Sequence, residues 1–148
     1  MTGDFSSKNV LVTGASSGIG YQAALDLAGK GAYIIGTGRD VTRCEAARTR
    51  ILQVHPEAQI EYLVADLASQ TQIHDLARQA QLLLIEHGNR LDVLVNNAGL
   101  YSSKRVLTED GIELTFAVNH LAPFLLTHLL LPQLLNTPQG RVLGVSSQ

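Results

Sequence analysis

The chain has 148 residues, of which 45% are apolar, and its 11 basic and 13 acidic side chains give a formal net charge of −2 at pH 7. This length fits one domain, residues 1–148, and the balanced charge excludes an extended basic surface for nucleic acid. Cys44 is the only cysteine, which excludes an internal disulfide and a cysteine zinc site. We therefore expect a single domain whose partner is a small molecule.

A glycine-rich stretch directly after the first predicted strand organises the chain. The apolar run 10–12 predicts a buried strand, and Thr-Gly-Ala-Ser-Ser-Gly-Ile-Gly follows at positions 13–20. Here Gly14 permits a sharp turn, Gly18 a close approach of the backbone to a pyrophosphate, and Gly20 the packing of a helix on the sheet. The free N–H groups of a helix start suit a phosphate pair. The same spacing also fits a tight turn that binds nothing.

Helices and strands alternate along the rest of the chain. Further strands are predicted over 32–36, 60–65, 91–95 and 141–145, and helices over 21–31, 42–54, 69–87 and 108–135. A capping box of Ser69 and Gln72 starts the third of these helices, and Pro123 requires a break or bend in the fourth. The sequence Thr-Glu-Asp at 108–110 is interpreted as the cap and first-turn acids of that last helix.

The pattern of elements predicts the fold class. Five short strands that alternate with helices indicate repeated βαβ units, hence a parallel sheet with helices on both faces. Right-handed crossovers favour the strand order 3-2-1-4-5, an α/β Rossmann-type doubly wound sheet truncated after the fifth strand. The ligand is expected beyond the carboxyl ends of the strands. The residues at this edge are Gly14, Gly38, Asp66, Asn97 and Ser146.

Targeting signals are not evident in the sequence. The stretch before the first predicted strand has no apolar core of signal-peptide length, and the most apolar region, 121–135, is shorter than a membrane span and contains two prolines and a histidine. Together with the lone Cys44, this predicts a cytoplasmic protein.

Further motifs follow the glycine turn in a fixed order. They are Asp66-Leu67, Asn96-Asn-Ala-Gly99, Asn119 and Ser146-Ser147. With these motifs the chain resembles the short-chain dehydrogenase/reductase family along its whole length. The stretches 39–40, 107–113 and 116–124 look most like the retinol-dehydrogenase-like branch. The resemblance implies an oxidoreductase that transfers a hydride between a nicotinamide cofactor and a small alcohol or carbonyl substrate.

The resemblance also implies a dinucleotide site. Asp66 would bind the adenine amino group beside the apolar Leu67, and Asn97 would line the ribose side and brace the sheet. Asp66 could also be a helix N-cap, and residues 97–99 could be an ordinary turn. The predicted cofactor-binding residues are Gly14, Ser16, Ser17, Gly18, Ile19, Gly20, Arg39, Asp66, Leu67, Asn97, Ala98 and Gly99.

The end of the second strand bears on cofactor choice. Gly38 stands where NAD-dependent members of the family carry an acid, and Arg39 follows it. A guanidinium there can pair with the extra phosphate of NADP, whereas a carboxylate binds the free ribose hydroxyls of NAD. We therefore predict NADP in preference to NAD. Asp40 would reverse this preference if its side chain, rather than that of Arg39, faced the cofactor, and Arg39 could also be a solvated loop charge.

The family's catalytic residues are only partly present. Its chemistry needs a tyrosine acid/base with a nearby lysine, a serine that holds the substrate oxygen and an asparagine that supports a proton relay. Ser147 and Asn119 match the serine and the asparagine, but no tyrosine in the chain has a lysine four residues on. Tyr101 and Lys104 are one residue too close and lie in a loop. The histidines share no ligand spacing, so no metal site is expected.

Two functional hypotheses result. The first is an NADP-dependent short-chain oxidoreductase of which this chain is the cofactor-binding part, incomplete at its C-terminus and inactive alone. The second is a non-catalytic dinucleotide-binding or partner-binding module. A Tyr-x-x-x-Lys pair further along the parent reading frame would decide between them. In either case the fifth strand is an apolar sheet edge through which the chain could self-associate.

Overall fold

A computed structural model describes residues 3–147 of the chain. Five strands form one sheet: β1 Asn9–Val12, β2 Tyr33–Gly38, β3 Gln59–Val64, β4 Val93–Asn96 and β5 Arg141–Gly144. Every adjacent pair is parallel, and the order is β3-β2-β1-β4-β5. The predicted doubly wound sheet is therefore confirmed. The order reverses between β1 and β4, which is the position where open sheets of this kind bind ligands.

Helices connect the strands. They are α1 Gly18–Gly29, α2 Val41–Val54, α3 Gln70–Ile85, α4 Leu114–Phe116, α5 Ala122–Leu129 and α6 Leu131–Leu135, with a π-helical turn at Ala117–Leu121. In the part of the chain that the structure describes, none of these helices has the length and apolar content needed to cross a bilayer.

Two apolar cores lie on opposite faces of the sheet. Side chains alternate across a strand, so Val10 and Leu11 enter different cores. One core also contains Ala24 of α1 and Ile51 of α2, and the other contains Leu76 of α3 with residues of α5 and α6. The central strands are covered on both faces, as parallel sheets require. By contrast, all residues of β5 are exposed.

The last predicted helix is wrong at its start. The helical segment begins at Leu114, because the Glu113 carboxylate accepts the two N–H groups of its first turn at 3.0 and 2.8 Å. Before it, Gly111 adopts a φ of +73°, a conformation that interrupts a helix. Residues 108–110 therefore lie in a turn. The acids of that turn do not serve the helix that follows; they contact the start of α3 instead.

The irregularity predicted at Pro123 takes the form of the π-helical turn Ala117–Leu121, which ends two residues before it. The N–H of Ala122 donates to the carbonyl of Ala117, five residues earlier. A second interruption was not predicted: Leu130, at φ −93° and ψ 3°, separates α5 from α6. Pro132 lies in the first turn of α6, where its missing N–H costs nothing.

Candidate functional site

The glycine turn between β1 and α1 has backbone conformations and close contacts that residues with a Cβ could not readily adopt. Gly14 and Gly18 have φ values of +62° and +57°, in the left-handed region that other residues rarely adopt. A Cβ on Gly14 would lie 3.0 Å from the Cα of Ala98. A Cβ on Gly20 would collide with the Gly14 carbonyl and with Asn97. Gly20 therefore allows α1 to pack on the turn itself, whereas Gly18 faces open space.

The start of α1 presents free hydrogen-bond donors. Ser17 is the N-cap residue, and its side chain accepts no hydrogen bond from the helix. By helical geometry, the N–H groups of the first turn, residues 18–20, have no intrahelical acceptor. The helix dipole adds positive potential there, and α1 carries no acid in its first turn. This arrangement suits a phosphate pair.

The turn is held by hydrogen bonds from the neighbouring strands. The Thr13 hydroxyl accepts the N–H groups of Asn97 and Ala98 at 3.1 and 3.0 Å. The Asn97 amide donates to the carbonyls of Thr13 and Gly14 at 3.0 and 3.3 Å. On the other side, Ala15 N–H donates to the Thr37 carbonyl at 2.9 Å. Asn97 thus braces β4 against the turn after β1.

Tyr62 supports the same turn from β3. Its hydroxyl donates to the Ala15 carbonyl at 2.7 Å, and its ring lies against Gly36, where a Cβ would approach the ring to 2.7 Å. Burial raises the pKa of this hydroxyl, which keeps it a hydrogen-bond donor. Tyr62 therefore has a structural role.

A cleft of about 360 Å³ opens at the carboxyl ends of the strands, above the glycine turn. Nine of the predicted cofactor-binding residues meet in its wall. They are Gly14, Ser16, Ser17, Arg39, Asp66, Leu67, Asn97, Ala98 and Gly99. The other three predicted residues, Gly18, Ile19 and Gly20, belong to the first turn of α1 and lie outside this lining. The lining also includes Thr37, Arg43, Leu100 and Val118, which sequence reasoning missed.

The charged residues after β2 occupy one rim of the cleft. Asp40 is the N-cap of α2, and its carboxylate accepts the N–H of Arg43 at 2.8 Å. One oxygen of the carboxylate that could favour NAD is thus engaged by the helix, and Asp40 also lines the cleft. Arg39 and Arg43 both line the cleft and are exposed. Arg43 could have been found from its place in the first turn of the helix that directly follows Arg39.

Asp66 also lines the cleft, after β3. One oxygen of its carboxylate accepts the N–H of Ala68 at 2.9 Å, which leaves the other oxygen available to a ligand. The alternative that Asp66 is a helix N-cap is wrong, because Ser69 caps α3 and accepts the N–H of Gln72 at 3.4 Å. The capping box is incomplete, since the Gln72 side chain accepts from the N–H of Asp66 at 2.8 Å and does not return to Ser69.

The two residues predicted for catalysis lie outside the cleft lining. Asn119 stands in the π-helical turn, and its amide group exchanges two hydrogen bonds with the backbone of Leu100 at 2.8 and 2.9 Å. Its Oδ1 is 3.5 Å from the Cβ position of Gly99, so it borders the wall formed by residues 97–100. Ser147 is exposed beyond the carboxyl end of β5.

Three of the four tyrosines are not arranged for proton transfer at this edge. Burial raises the pKa of Tyr33 to about 12, and Tyr62 is committed to the Ala15 carbonyl. Tyr101 lies in a loop, 87% exposed. Over residues 3–147, no group of three or more His, Cys, Asp or Glu side chains could hold a metal ion. The described part of the cleft offers backbone donors and cations that suit an anionic ligand.

A buried hydroxyl beside the cleft also bears on whether the cleft takes a ligand. The Thr37 hydroxyl is buried beside it and has no hydrogen-bond partner within residues 3–147. Buried polar groups without partners are rare in folded proteins. Donors for phosphate at α1, two guanidinium groups and a half-free carboxylate suit the charged and polar parts of a dinucleotide.

Comparisons with known proteins agree with this geometry. Retinol dehydrogenase 13 of Homo sapiens is 43% identical over 140 residues, which are 95% of this chain and 41% of that protein. The WW domain-containing oxidoreductase of Gallus gallus is 39% identical and matches 98% of this chain with 34% of its own length. The chain thus spans about two fifths of the curated relatives it matches.

Solved structures show the same fold. A metagenomic short-chain oxidoreductase in complex with NADP superposes with a TM-score of 0.81 at 32% identity, over 98% of this chain and 64% of its own. Pseudomonas aeruginosa RhlG, in an active-site complex with NADP, gives a TM-score of 0.77 at 30% identity, over 98% and 57%. The sequence model of the short chain dehydrogenase family matches residues 8–148. The chain therefore belongs to the short-chain dehydrogenase family of oxidoreductases.

Proposed function

We propose that this chain is the NADP-binding part of an oxidoreductase that interconverts a small alcohol and a carbonyl compound. One observation carries the proposal: Arg39 and Arg43 line a cleft whose wall also contains Ser17, the N-cap of α1, while one oxygen of the competing Asp40 carboxylate caps α2. Two cations at the rim suit the extra phosphate that distinguishes NADP from NAD. The NADP complexes of two structural neighbours support the same choice.

Each part of the cleft would then have a task. The N–H groups of residues 18–20 bind the pyrophosphate, Arg39 and Arg43 bind the 2′-phosphate, and the free oxygen of Asp66 accepts the adenine amino group. NADP, when bound, supplies the nicotinamide that carries the hydride. Ser147 would hold the substrate oxygen, and Asn119 would support a proton relay. Both roles are carried over from the family resemblance.

The decisive experiment is a reversal of charge at the rim. Arg39→Asp should weaken NADP binding at least about tenfold in calorimetry, because a charge-assisted hydrogen bond is lost and a repulsive charge is added, while NAD binding is unchanged or stronger. Arg78→Asp is the matched control, since Arg78 lies exposed on α3, where it pairs with Asp75. Unchanged relative affinities for NADP and NAD in Arg39→Asp would contradict the assignment.

We propose further that the 148-residue chain is inactive alone. The support is chemical: the family's acid/base pair is a tyrosine with a lysine four residues on, and the sequence has none. Neither NADP(H) nor NAD(H) should give measurable turnover of alcohols or carbonyls. Turnover by this chain would overturn the proposal. The lack of this pair also favours the second candidate, a non-catalytic dinucleotide-binding module. If a longer product of the reading frame carries the pair and still lacks activity, the second candidate is supported over the first.

The free edge of β5 supports a proposal about association. Val142 and Leu143 are 47% and 50% exposed, and the strand pairs only with β4 within the described chain. Unpaired strand edges with apolar side chains readily pair with another copy. We propose that two chains associate through β5, and that Val142→Lys shifts sedimentation towards the monomer. A chain that is monomeric at high concentration contradicts this.

A cytoplasmic location is part of the same proposal. Cys44 is buried as a free thiol, which is compatible with a reducing compartment. Fractionation of cells that express the protein tests it, and recovery in an organelle would contradict it.

A further inference from the structure

The loop between β4 and α4 borders the cleft at its start and contacts the first turn of α3 near its end. At its start, residues 97–100 form part of the cleft wall. Near its end, Glu109 accepts a hydrogen bond from the Ser69 hydroxyl, and the Asp110 carboxylate accepts the N–H of Gln70 at 2.9 Å. We call these two contacts the carboxylate latch. The latch joins the loop to the first turn of α3, forty residues earlier in the chain.

The latch acts on the turn that carries Asp66. The Ser69 N–H donates to the Asp66 carbonyl at 3.1 Å, and the Ala68 N–H donates to the Asp66 carboxylate at 2.9 Å. The orientation of the Asp66 side chain therefore depends on the turn 66–69, and the far end of this turn is held by Glu109 and Asp110. A carboxylate at a helix N-terminus also gains from the helix dipole.

The turn is packed on part of its surface only. Leu67 is half-buried and packs against the core that contains Leu76, and it also borders the cleft and, with Ala68 and Ile112, an apolar cavity of about 290 Å³. The hydrogen bonds at the two ends of the turn add to the constraint that this partial packing supplies.

The latch itself is preorganised by the turn of the loop. Thr108 N–H donates to the Ile112 carbonyl at 2.8 Å, and Gly111 N–H donates to the Thr108 carbonyl at 2.9 Å. Gly111 closes this turn with a φ of +73°. The two acids therefore reach α3 from a hydrogen-bonded turn, at little cost in conformational entropy on ligand binding.

We propose that Glu109 and Asp110 are positioning residues for the adenosine half of the cofactor. They act through Ser69 and Gln70 on the turn that orients Asp66, and they touch no ligand themselves. This inference rests on the proposed function, because it assumes that Asp66 receives adenine. It goes beyond that function by assigning a role to the Thr-Glu-Asp-Gly segment at 108–111.

The test uses Asp110→Ala in the full chain. Without cofactor, amide hydrogen exchange at Ala68 and Gln70 should become faster, because Gln70 loses its acceptor. In calorimetry, the affinities for adenosine 2′,5′-bisphosphate and for NADP should fall by the same factor, about fivefold. The equal factor is the diagnostic readout, since the bisphosphate contains only the adenosine half. A merely structural role would lower the melting temperature without this loss of affinity.

Two further variants complete the experiment. Asp110→Asn keeps a carbonyl acceptor for Gln70 and should restore most of the affinity and the slow exchange. Asp75→Ala is the matched control, because it removes an exposed acid from the same helix at its Arg78 pair and should leave both readouts unchanged.

The outcomes separate this inference from the proposed function. Unchanged exchange at Gln70 in Asp110→Ala overturns the latch. Faster exchange with unchanged affinity for adenosine 2′,5′-bisphosphate overturns its role in positioning Asp66. An unaltered chain that binds neither the bisphosphate nor NADP overturns the proposed function and this role with it, while exchange at Gln70 still reports whether the contacts form.

Discussion

The amino and carboxyl ends of the sheet differ in how their hydrogen-bond donors are satisfied. At the amino end, the carboxylate of Asp92, 3% exposed, accepts the Asn9 N–H at 2.8 Å and the Thr137 hydroxyl at 3.1 Å, with Lys8 and Arg90 at 3.7 and 3.5 Å. At the carboxyl end, the N–H groups of the first turn of α1 have no such carboxylate partner within residues 3–147. The buried Asp92 carboxylate satisfies the donors at the amino end, whereas the donors at the carboxyl end are available to an anionic ligand.

From this difference we expect the amino end to contribute mainly to stability and the carboxyl end mainly to ligand binding. Asp92 ties three strands together, since its backbone also pairs with Asn9 and its carbonyl accepts the Arg141 N–H at 2.9 Å. Changes at the amino end should therefore reduce stability and leave the intrinsic cofactor affinity unaltered. Changes at the carboxyl end should alter affinity at least as much as stability. Four substitutions test this contrast.

The largest effect is expected for Asp92→Ala. The substitution leaves a buried N–H and hydroxyl without an acceptor and removes the partner of two cations, so the free energy of unfolding should fall by about 3 to 5 kcal/mol. Urea unfolding measures the loss. Asp92→Asn, which keeps an acceptor, should lose less. An effect of Asp92→Asn on NADP affinity in the folded fraction would contradict the contrast.

The next largest effect is expected for Gly20→Ala. Its Cβ would collide with backbone of the glycine turn, so α1 must shift away from Asn97 at a cost of roughly 1 to 3 kcal/mol, and NADP affinity should fall as well. Gly18→Ala is the matched comparison, because its Cβ meets open space and only the φ of +57° opposes it. Calorimetry and urea unfolding of both variants measure the difference. Equal losses would show that packing on the turn is not the constraint.

A smaller effect is expected for Tyr62→Phe. The ring remains against Gly36, but the hydrogen bond to the Ala15 carbonyl is lost, so stability should fall by about 1 kcal/mol and NADP affinity by a few-fold. Thermal melting and calorimetry measure the two effects. Tyr101→Phe changes an exposed hydroxyl and serves as the control. Unchanged NADP affinity in Tyr62→Phe would show that the hydrogen bond of this hydroxyl to the glycine turn does not contribute to cofactor binding.

The smallest effect concerns pH. Hydrogen bonds from the N–H groups of Phe116 and Thr115 lower the pKa of Glu113 below its usual range. A group with a lowered pKa in the folded state stabilises it above the unfolded pKa of about 4.3, and this contribution is lost as the pH falls through the folded value. Glu113→Gln should therefore flatten the decline in melting temperature below about pH 5. An unchanged pH profile would contradict the capping role.

Much of the carboxyl end was readable from the sequence. Gly14 and Gly20 were assigned the turn and the helix packing that the structure shows, and Ser69 was identified as the cap of α3. The spacing of these residues is a local signal, although the contacts that require the two glycines also involve the distant Asn97 and Ala98. Arg43 was missed although its spacing from Arg39 gave a local signal. The direction of the Asp40 side chain is not predictable from the sequence, because an aspartate at this position can either cap the helix or face a ligand.

Other features depended on pairs that are distant along the chain. Glu109 and Asp110 were interpreted as acids of the helix that follows them, but they serve α3, because tertiary packing brings the loop to that N-terminus. Asp92 had no special signal, since its partners come from three separate segments. The alternation of apolar and polar stretches by itself determined the parallel sheet and its strand order, because burial and right-handed crossovers leave few alternatives. Only the tertiary structure decided which end of the sheet is closed, because that depends on which polar groups find partners in space.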